Sequence, residues 1–329
     1  MKSTMKSYSI RIDDGRTVLD CGEAAVPAPG AGQVLVRVHA AGLNRGEFIA
    51  AHGLHAKAGP ARPAGTEGAG EIAAVGVDVA GWKPGDRVMF RCGGAFAEYA
   101  LVDARETMAA PQGLSWEEAA AVPLSFLVVH DMLIAQGRLR AGEWLLVTGV
   151  ASGVGCAALQ TAQALGARVI GTSGSAQKLA RLSALGLDVA INTRAADFCG
   201  RVMEATGKRG ADLVVNAVGG TVFAECVRSL AYQGRLATVG YVDGVMKAEI
   251  DLDALHAKRL TLFGVSNKLR SPEQRASGVR AFVSDLLPLF ADGRLHPLVD
   301  RIYPFDELPE AKAYMESNAH LGKIVVRMG

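Results

Sequence analysis

The stretch that decides the predicted fold of this chain is residues 144–155, Trp144-Leu145-Leu146-Val147-Thr148-Gly149-Val150-Ala151-Ser152-Gly153-Val154-Gly155. The apolar run is typical of a parallel strand covered by helices on both faces. The glycines that follow let the backbone approach a ligand, and the next helix directs free N–H groups and its positive dipole end toward that ligand. The glycine spacing departs from the G-x-G-x-x-G fingerprint, so the flanking strand and helix support the prediction. The stretch therefore predicts a strand, a turn and a helix that bind a pyrophosphate.

A second strand follows the helix and completes one βαβ unit of a dinucleotide-binding fold. NAD sites usually place an acidic residue at the end of that strand, where it binds the ribose 2′-hydroxyl. Here the position reads Thr172-Ser173-Gly174-Ser175, no acidic residue occurs between Glu143 and Asp188, and Lys178 lies one helical turn further on. Small hydroxyls and a lysine suit a 2′-phosphate, so the sequence favours NADPH over NADH. The alternative is that Ser175 only caps the next helix and that Lys178 is solvated.

The composition restricts the class of protein. The chain has 329 residues, enough for two domains, and 50% of them are hydrophobic. Its formal net charge of +2 gives no reason to expect a nucleic acid or a membrane as a partner. Five cysteines without a C-x-x-C pair are typical of a reduced, cytoplasmic protein. Because no segment has the pattern of a signal peptide or a membrane span, we expect a cytoplasmic protein that binds a small molecule.

The hydrophobic pattern divides the chain into regions. Between residue 8 and about residue 110 it has period two, which predicts short strands in a closed or partly closed β-domain. From Trp144 to Val265 strands and helices alternate, which predicts a six-stranded, doubly wound parallel sheet. The predicted fold class is therefore α/β.

The region beyond Ser266 contains two predicted helices and a final strand, Lys323–Arg327. A lone strand needs partners, and the opening β-domain supplies them. We therefore expect a β-domain of residues 1–125 and 267–329, with a dinucleotide-binding domain of residues 126–266 inserted into it.

The order and spacing of several short motifs resemble those of the medium-chain dehydrogenase/reductase superfamily. The motifs are Ala41-Gly42-Leu43-Asn44, Gly65-Thr66-Glu67-Gly68-Ala69-Gly70, Lys83-Pro84-Gly85-Asp86-Arg87-Val88, Gly94-Ala95-Phe96-Ala97-Glu98-Tyr99, Ser152-Gly153-Val154-Gly155 and Gly322-Lys323-Ile324-Val325. Within the superfamily, the chain resembles the zinc-independent quinone oxidoreductase, or zeta-crystallin-like, branch over essentially its whole length. The resemblance implies a Rossmann domain that binds NADPH, inserted in a GroES-like β-barrel catalytic domain.

The chain lacks the pattern of a catalytic zinc site. Zinc members of the superfamily place a histidine where this chain has Thr66 and a cysteine near Asn44. Zinc needs a tetrahedral set of thiolate or imidazole ligands. The remaining candidates, which form no such set by their spacing, are Cys92, His39, His52 and His55. We therefore expect no metal, and we expect each histidine to be packed or solvated.

Without a Lewis acid, the substrate must itself accept hydride readily. Quinones and alkenes conjugated to a carbonyl do so, because the incoming charge delocalises onto oxygen. The resemblance places Asn44 beside the nicotinamide, and the alternative is an asparagine that braces its own turn. Glu47 is implied as a residue that shapes the site, with a surface helix cap as the alternative. We expect Arg45 to be solvated, and the alternative is that it lies at the mouth of the site and attracts an anionic substrate. Tyr241 follows a strand at its carboxyl end, where it lines the acceptor pocket or packs at the domain junction.

The resemblance also implies the cofactor contacts. Ser152, Gly153 and Val154 are implied at the pyrophosphate, and Ser173 and Lys178 at the 2′-phosphate. The other implied contacts are Val218, Val239, Gly240 and Tyr241 along the adenosine and ribose, Phe263, Gly264 and Val265 at the carboxamide, and Asn44 and Lys323 near the nicotinamide. Thr193, a further cofactor candidate, stands where the branch often has a tyrosine by the adenine.

These patterns predict an NADPH-dependent reductase of quinones or α,β-unsaturated carbonyl compounds, with Asn44, Glu47 and Tyr241 as its catalytic candidates. The alternative is a catalytically weak, crystallin-like or binding protein that retains the NADPH site. The resemblance implies a homodimer formed through the apolar edge strand near residues 260–266.

Overall fold

The structure is a computed structural model that describes residues 3–14, 16–48 and 60–329. The chain forms two compact units, Met1–Leu127 with Lys268–Gly329, and Val128–Asn267. The first unit is thus assembled from both ends of the sequence, and the second is continuous.

The described residues contain sixteen strands and eleven α-helices. The strands are β1 Thr4–Asp13, β2 Arg16–Ala25, β3 Gln33–Gly42, β4 Arg62–Pro63, β5 Glu67–Val75, β6 Arg87–Arg91, β7 Tyr99–Asp103, β8 Thr107–Ala109, β9 Trp144–Val147, β10 Arg168–Ser173, β11 Val189–Asn192, β12 Ala211–Asn216, β13 Leu230–Thr238, β14 Thr261–Gly264, β15 Val299–Pro304 and β16 Lys323–Arg327. The helices are α1 Arg45–Phe48, α2 Trp116–Ala120, α3 Pro123–His130, α4 Gly153–Ala164, α5 Ala176–Ala184, α6 Cys199–Ala205, α7 Phe223–Arg228, α8 Leu252–Ala257, α9 Pro272–Asp285, α10 Leu287–Ala291 and α11 Leu308–Glu316. None of the helices in these ranges has the length and apolar character needed to cross a bilayer.

The continuous unit contains one parallel sheet of six strands in the order β11-β10-β9-β12-β13-β14. Its central strands are apolar on both faces, and Leu145, Leu146 and Val147 have no exposed surface. A strand of this kind is stable only when helices cover both faces, which is the doubly wound arrangement. The strand order reverses beside β9, whose carboxyl end leads into the glycine-rich turn. The predicted α/β fold with a doubly wound sheet is confirmed.

The other unit is built around β3, which pairs with β5, β7 and β16. Its largest sheet has the order β15-β16-β3-β5-β6-β8, and a smaller sheet has the order β2-β1-β4. β16 runs antiparallel to β3, with Val325 opposite Gly42. Alternate residues of these strands, including Val36, Val38 and Ile324, enter one hydrophobic core. The prediction that the strand at Lys323–Arg327 returns to the first β-domain is confirmed.

One predicted helix is divided in the structure. The sequence pattern predicts a single helix from Ser271 to about Ala291, whereas α9 ends at Asp285 and α10 begins at Leu287. Pro288 lies in the first turn of α10. Proline has no N–H, and its ring clashes with the carbonyl four residues earlier, so one helix does not continue through this position.

Candidate active site

Asn44 lies in the turn between β3 and α1, where both ends of its side-chain amide are held. Its Nδ2 donates to Glu67 Oε1 at 2.8 Å and to Glu47 Oε1 at 3.0 Å, and its Oδ1 accepts from Lys323 Nζ at 2.7 Å. Thr66 Oγ1 lies 3.4 Å from the same Nδ2. We call these five residues, Asn44, Glu47, Thr66, Glu67 and Lys323, the Asn44 cluster. The bonds from opposite sides fix the amide in one orientation.

Glu67 and Lys323 form a buried ion pair within the Asn44 cluster. Lys323 Nζ lies 2.6 Å from Glu67 Oε1, and their side chains are 6% and 0% exposed. Glu67 Oε2 accepts from the Leu124 N–H at 2.6 Å, which satisfies the second carboxylate oxygen. Lys323 also donates to Leu43 O at 2.9 Å. Because an ammonium has three N–H donors, all those of Lys323 are taken, and the structure makes it a residue that positions Asn44.

Glu47 lies in α1 with 1% of its surface exposed, so the interpretation of a surface helix cap is wrong. Its Oε1 accepts from Asn44 and from the Thr66 hydroxyl. Its Oε2 is buried and has no hydrogen-bond partner among the described residues. Burial raises the pKa of Glu47 to about 7, because the bonds from Thr66 and Asn44 offset only part of the lost hydration. A carboxyl group with this pKa gains or loses a proton near neutral pH.

Arg45 is partly buried, and the prediction that it is solvated is wrong. Its NH2 group donates to Met315 O and to Asn318 Oδ1, both at 2.7 Å. Burial lowers the pKa of this guanidinium. The last carbonyl groups of a helix lack helical partners, and Met315 belongs to the final turn of α11. Arg45 therefore donates a hydrogen bond to a carbonyl group at the end of α11, and this bond holds the turn that carries Asn44.

The glycine-rich turn lies between β9 and α4. Gly149 has a φ of +66°, which glycine adopts without the strain that a side chain causes. A Cβ atom on Gly155 would lie 2.6 Å from Val150 O, so the helix approaches the turn closely only with glycine there. Ser152 caps α4, and its Oγ accepts from the Gly155 N–H at 3.1 Å. As α4 begins at Gly153, the first N–H groups of the helix have no helical acceptor and face the turn.

The carboxyl end of β10 carries the predicted 2′-phosphate residues. Ser173 Oγ accepts from the Ser175 N–H at 3.3 Å, and Ser175 caps α5 by accepting from the Lys178 N–H at 3.4 Å. Arg194 also lies at this turn, because a Cβ atom on Gly174 would stand 2.3 Å from Arg194 Nε. Arg194 was not predicted from the sequence. The only sequence signal was a basic residue directly after Thr193, in a loop whose path cannot be predicted from spacing.

The other implied cofactor residues of this unit lie at or beyond the carboxyl ends of four strands. They are Thr193 after β11, Val218 after β12, Val239, Gly240 and Tyr241 after β13, and Phe263, Gly264 and Val265 at the end of β14. Ligands of open parallel sheets bind at this edge. The Thr193 hydroxyl donates to Asp197 Oδ1 at 2.6 Å, and Tyr241 is 39% exposed. The structure thus brings these residues to one edge of one sheet, while Asn44, Glu47 and Lys323 belong to the other unit.

Within residues 3–14, 16–48 and 60–329, no three His, Cys, Asp or Glu side chains are grouped closely enough to hold a metal ion. Thr66, which stands where zinc members carry a histidine, donates its hydroxyl to Glu47. His39 stacks on Trp116 with ring centroids 4.5 Å apart, so it is packed as expected. His52 and His55 lie outside the described residues.

Comparison with known proteins identifies both units of the chain. The family model described as alcohol dehydrogenase GroES-like domain matches residues 30–112, and the model described as zinc-binding dehydrogenase matches residues 153–281. The synaptic vesicle membrane protein VAT-1 homolog of Rattus norvegicus is 31% identical over 322 residues, which cover 93% of this chain and 79% of that protein. The chain also matches much longer polyketide synthases, and it spans 14% of the length of one from Streptomyces orinoci.

Solved structures resemble the whole fold. The NADPH complex of mycobacterial Rv1454c has a TM-score of 0.88 and 28% identity, covering 98% of this chain and 99% of that one. The structure of CurK enoyl reductase has a TM-score of 0.85 and 26% identity, covering 100% of both chains. With the sheet order and the glycine-rich turn described above, these similarities show that the chain belongs to the medium-chain dehydrogenase/reductase superfamily.

Proposed function

We propose that this protein is an NADPH-dependent oxidoreductase that transfers a hydride to a quinone or an α,β-unsaturated carbonyl compound without zinc. The observation that supports it is the Asn44 cluster, in which Thr66 stands at the position of a zinc-ligating histidine and donates to Glu47. In this proposal, hydrogen-bonding groups and a carboxyl with a pKa of about 7 would take the place of a Lewis acid. An acceptor that delocalises the incoming charge onto its own oxygen needs such groups and correct positioning rather than a metal.

NADPH suits the residues at the edge of the parallel sheet. The N–H groups at the start of α4, with Ser152, Gly153 and Val154, would hold the pyrophosphate at the positive end of a twelve-residue helix. Ser173, Lys178 and Arg194 would hold the 2′-phosphate through hydroxyl and cationic groups. The relative solved with NADPH supports the same assignment. When bound, NADPH supplies the hydride.

The hydrogen bonds of Asn44 restrict what its amide does. Both of its N–H groups are directed at carboxylates, Glu67 and Glu47, so the free capacity is the second lone pair of Oδ1. We assign that lone pair to a hydroxyl group of the cofactor or substrate. Glu47 in its protonated form keeps the Asn44 cluster neutral, because the Glu67 charge is balanced by Lys323. We therefore assign Glu47 a positioning role, and a proton from solvent completes the reduction.

The experiment is a turnover assay with NADPH and NADH against a panel of quinones and enones, with and without a zinc chelator. We expect chelator-resistant NADPH oxidation with at least one acceptor. Asn44→Ala is expected to lower kcat by roughly tenfold or more while the protein still binds NADPH in calorimetry. Gln112→Ala, which removes an exposed side-chain amide of the same unit, serves as the matched control. Failure of every acceptor would overturn the proposal.

A second candidate is a catalytically weak, crystallin-like or binding protein that retains the NADPH site. The observation that favours it is that all three N–H donors of Lys323 and both N–H donors of Asn44 already bond to acceptors within the protein. It predicts NADPH binding without turnover in the same assay and no functional effect of Asn44→Ala.

The assembly that we propose is a cytoplasmic homodimer. β14 is an edge strand of the six-stranded sheet and hydrogen-bonds only to β13 among the described strands. Pairing with β14 of a second copy would continue the sheet across a two-fold axis. No disulfide joins any of the five cysteines, all of which lie within the described residues, and this favours a reducing compartment. Light scattering on the purified protein would test the dimer, and a monomer at all concentrations would refute it.

A further inference from the structure

A second group of charged side chains lies in the same unit as Asn44. Arg275 Nε donates to Glu106 Oε1 at 2.6 Å, and Arg91 NH1 lies 3.8 Å from Glu106 Oε2. We call Arg91, Glu106 and Arg275 the Glu106 cluster. Their side chains are 15%, 9% and 29% exposed, respectively, so water shields their charges poorly.

The Glu106 cluster contains two guanidinium groups and one carboxylate. Glu106 bonds to Arg275, which also donates to Arg270 O at 2.9 Å. A separation of 3.8 Å between Arg91 and Glu106 is too long for a hydrogen bond, and no described residue accepts one from the Arg91 side chain. Burial lowers the pKa of Arg91; Glu106 opposes that effect, and the positive charge of Arg275 adds to it. Because arginine remains charged in proteins, the cluster has one positive charge in excess.

An excess positive charge in a mostly buried position is unfavourable unless an anion offsets it. Guanidinium groups bind carboxylates and phosphates through paired hydrogen bonds, and Arg91 has its N–H donors available for such a group. Glu67 and Arg270 also act on Arg91, in opposite directions, so the excess positive charge remains and a bound anion would offset it.

The register of the sheet places Arg91 beside the Asn44 cluster. Arg91 lies directly opposite Glu67 in the antiparallel pair of β5 and β6. Directly opposed residues point to the same face of a sheet, with Cβ atoms about 5 Å apart. The next residue along, Cys92, donates its N–H to Thr66 O at 3.1 Å. The guanidinium of Arg91 thus lies on the face of the sheet that carries the Asn44 cluster.

We propose that Arg91, with Arg275 beside it, binds a carboxylate or phosphate group on the unsaturated carbonyl substrate. The inference rests on the proposed function for the reacting part of that substrate. The short separation between Arg91 and Glu67 favours a compact molecule in which few bonds separate the anionic group from the carbonyl.

The first test compares (E)-5-oxohex-3-enoate with its methyl ester, two acceptors in which a methylene group separates the charged or neutral group from the reacting alkene. We expect kcat/KM to be at least about tenfold higher for the acid, mainly through KM, since charge-assisted hydrogen bonds supply that much. Arg91→Gln should abolish the preference without lowering turnover of the ester, and Arg91→Lys should retain part of it. Arg294→Gln removes an exposed arginine paired with Asp292 and is the matched control. An enone that carries a phosphate monoester distinguishes the two anions.

The second test measures binding without turnover. Calorimetry with 4-oxopentanoate and its methyl ester, on protein saturated with NADP+, should show tighter binding of the acid to the wild type and equal binding to Arg91→Gln. If the acid binds more tightly in this way but no enone is turned over, the anion site is supported and the proposed function is refuted. Equal kcat/KM for acid and ester, unchanged by Arg91→Gln, would refute the anion site and leave the reductase intact. If Arg91→Gln has a lower melting temperature than the wild type, Arg275→Gln replaces it in both tests.

Discussion

Lys323 Nζ and Glu67 Oε1 lie 2.6 Å apart although 256 positions separate the two residues in the chain. Lys323 begins β16 and Glu67 begins β5, and both strands pair with β3 from opposite sides. The ion pair therefore spans β3 at the end from which Asn44 emerges. Its electrostatic energy and the orientation of the Asn44 amide depend on the same three strands.

Removing the buried ammonium should destabilise the fold. Lys323→Met leaves the Glu67 carboxylate buried without its counter-charge, which we expect to lower the free energy of unfolding by about 3–5 kcal/mol. Lys312→Met is the matched control, because Lys312 pairs with the half-exposed Glu316 on α11 and should cost no more than about 1 kcal/mol. Urea denaturation measures both. Equal losses for the two variants would contradict a structural role for the buried pair.

The raised pKa of Glu47 predicts a pH dependence of stability. With a pKa of about 7 when folded and an ordinary value of 4.5, the folded protein binds more protons than the unfolded chain between these values. The stabilisation that the raised pKa of Glu47 adds to the free energy of unfolding is therefore fully present below pH 4.5, and it is lost as the pH rises through 7. Glu47→Gln cannot ionise, so relative to wild type its unfolding free energy should increase by up to about 3 kcal/mol from pH 5 to pH 8. A difference that stays constant across this range in denaturation experiments would argue against a buried, titrating carboxyl.

We expect that no residue larger than glycine fits at position 42 without displacing its neighbours. A Cβ atom there would lie 2.6 Å from Glu67 Oε1 and 2.8 Å from Ala120 O. Gly42→Ala should therefore lower the melting temperature and cost about 1–3 kcal/mol, because Glu67 or α2 must move. Gly22→Ala makes the same change in β2, where nothing lies within 4 Å of the added methyl group, and should be close to neutral. A neutral Gly42→Ala would show that the cluster tolerates displacement.

Arg194 should contribute to the choice between the two nicotinamide cofactors. Arg194→Gln is expected to raise the Kd for NADPH by roughly tenfold and to leave the Kd for NADH unchanged, because only NADPH carries the 2′-phosphate. Arg201→Gln removes an exposed arginine from α6 of the same unit and serves as the control. Fluorescence titration of both cofactors measures the effect. Parallel weakening of NADPH and NADH would place Arg194 away from the 2′-phosphate.

Much of the fold was predictable because its signals are local. The apolar run at Trp144–Val147, the glycines after it and the apolar run at Ile324–Val326 each determine an element within a few residues. β15 and α8 were missed, because Val299–Pro304 has one buried residue and Leu252–Ala257 has none, so neither gives a periodic pattern. The division of α9 from α10 was overlooked although Pro288 signals it directly.

The site was predictable only in part. Asn44 and Glu47 were named from a resemblance, but the burial of Glu47 and the contacts of Arg45 depend on residues far along the chain. Glu67 was quoted within a motif without a role, because a single acidic residue gives no sign of its partner. Arg91, Glu106 and Arg275 were missed for the same reason, since three separate segments bring them together.

The position of β16 has a consequence for synthesis on the ribosome. β3 is translated early, and its neighbour β16 is translated after the whole of Val128–Asn267. During translation the continuous unit is therefore complete while one edge of β3 is still unpaired. A chain that terminates before residue 323 would retain the nucleotide-binding residues of Val128–Asn267 and lack the ammonium group that orients Asn44.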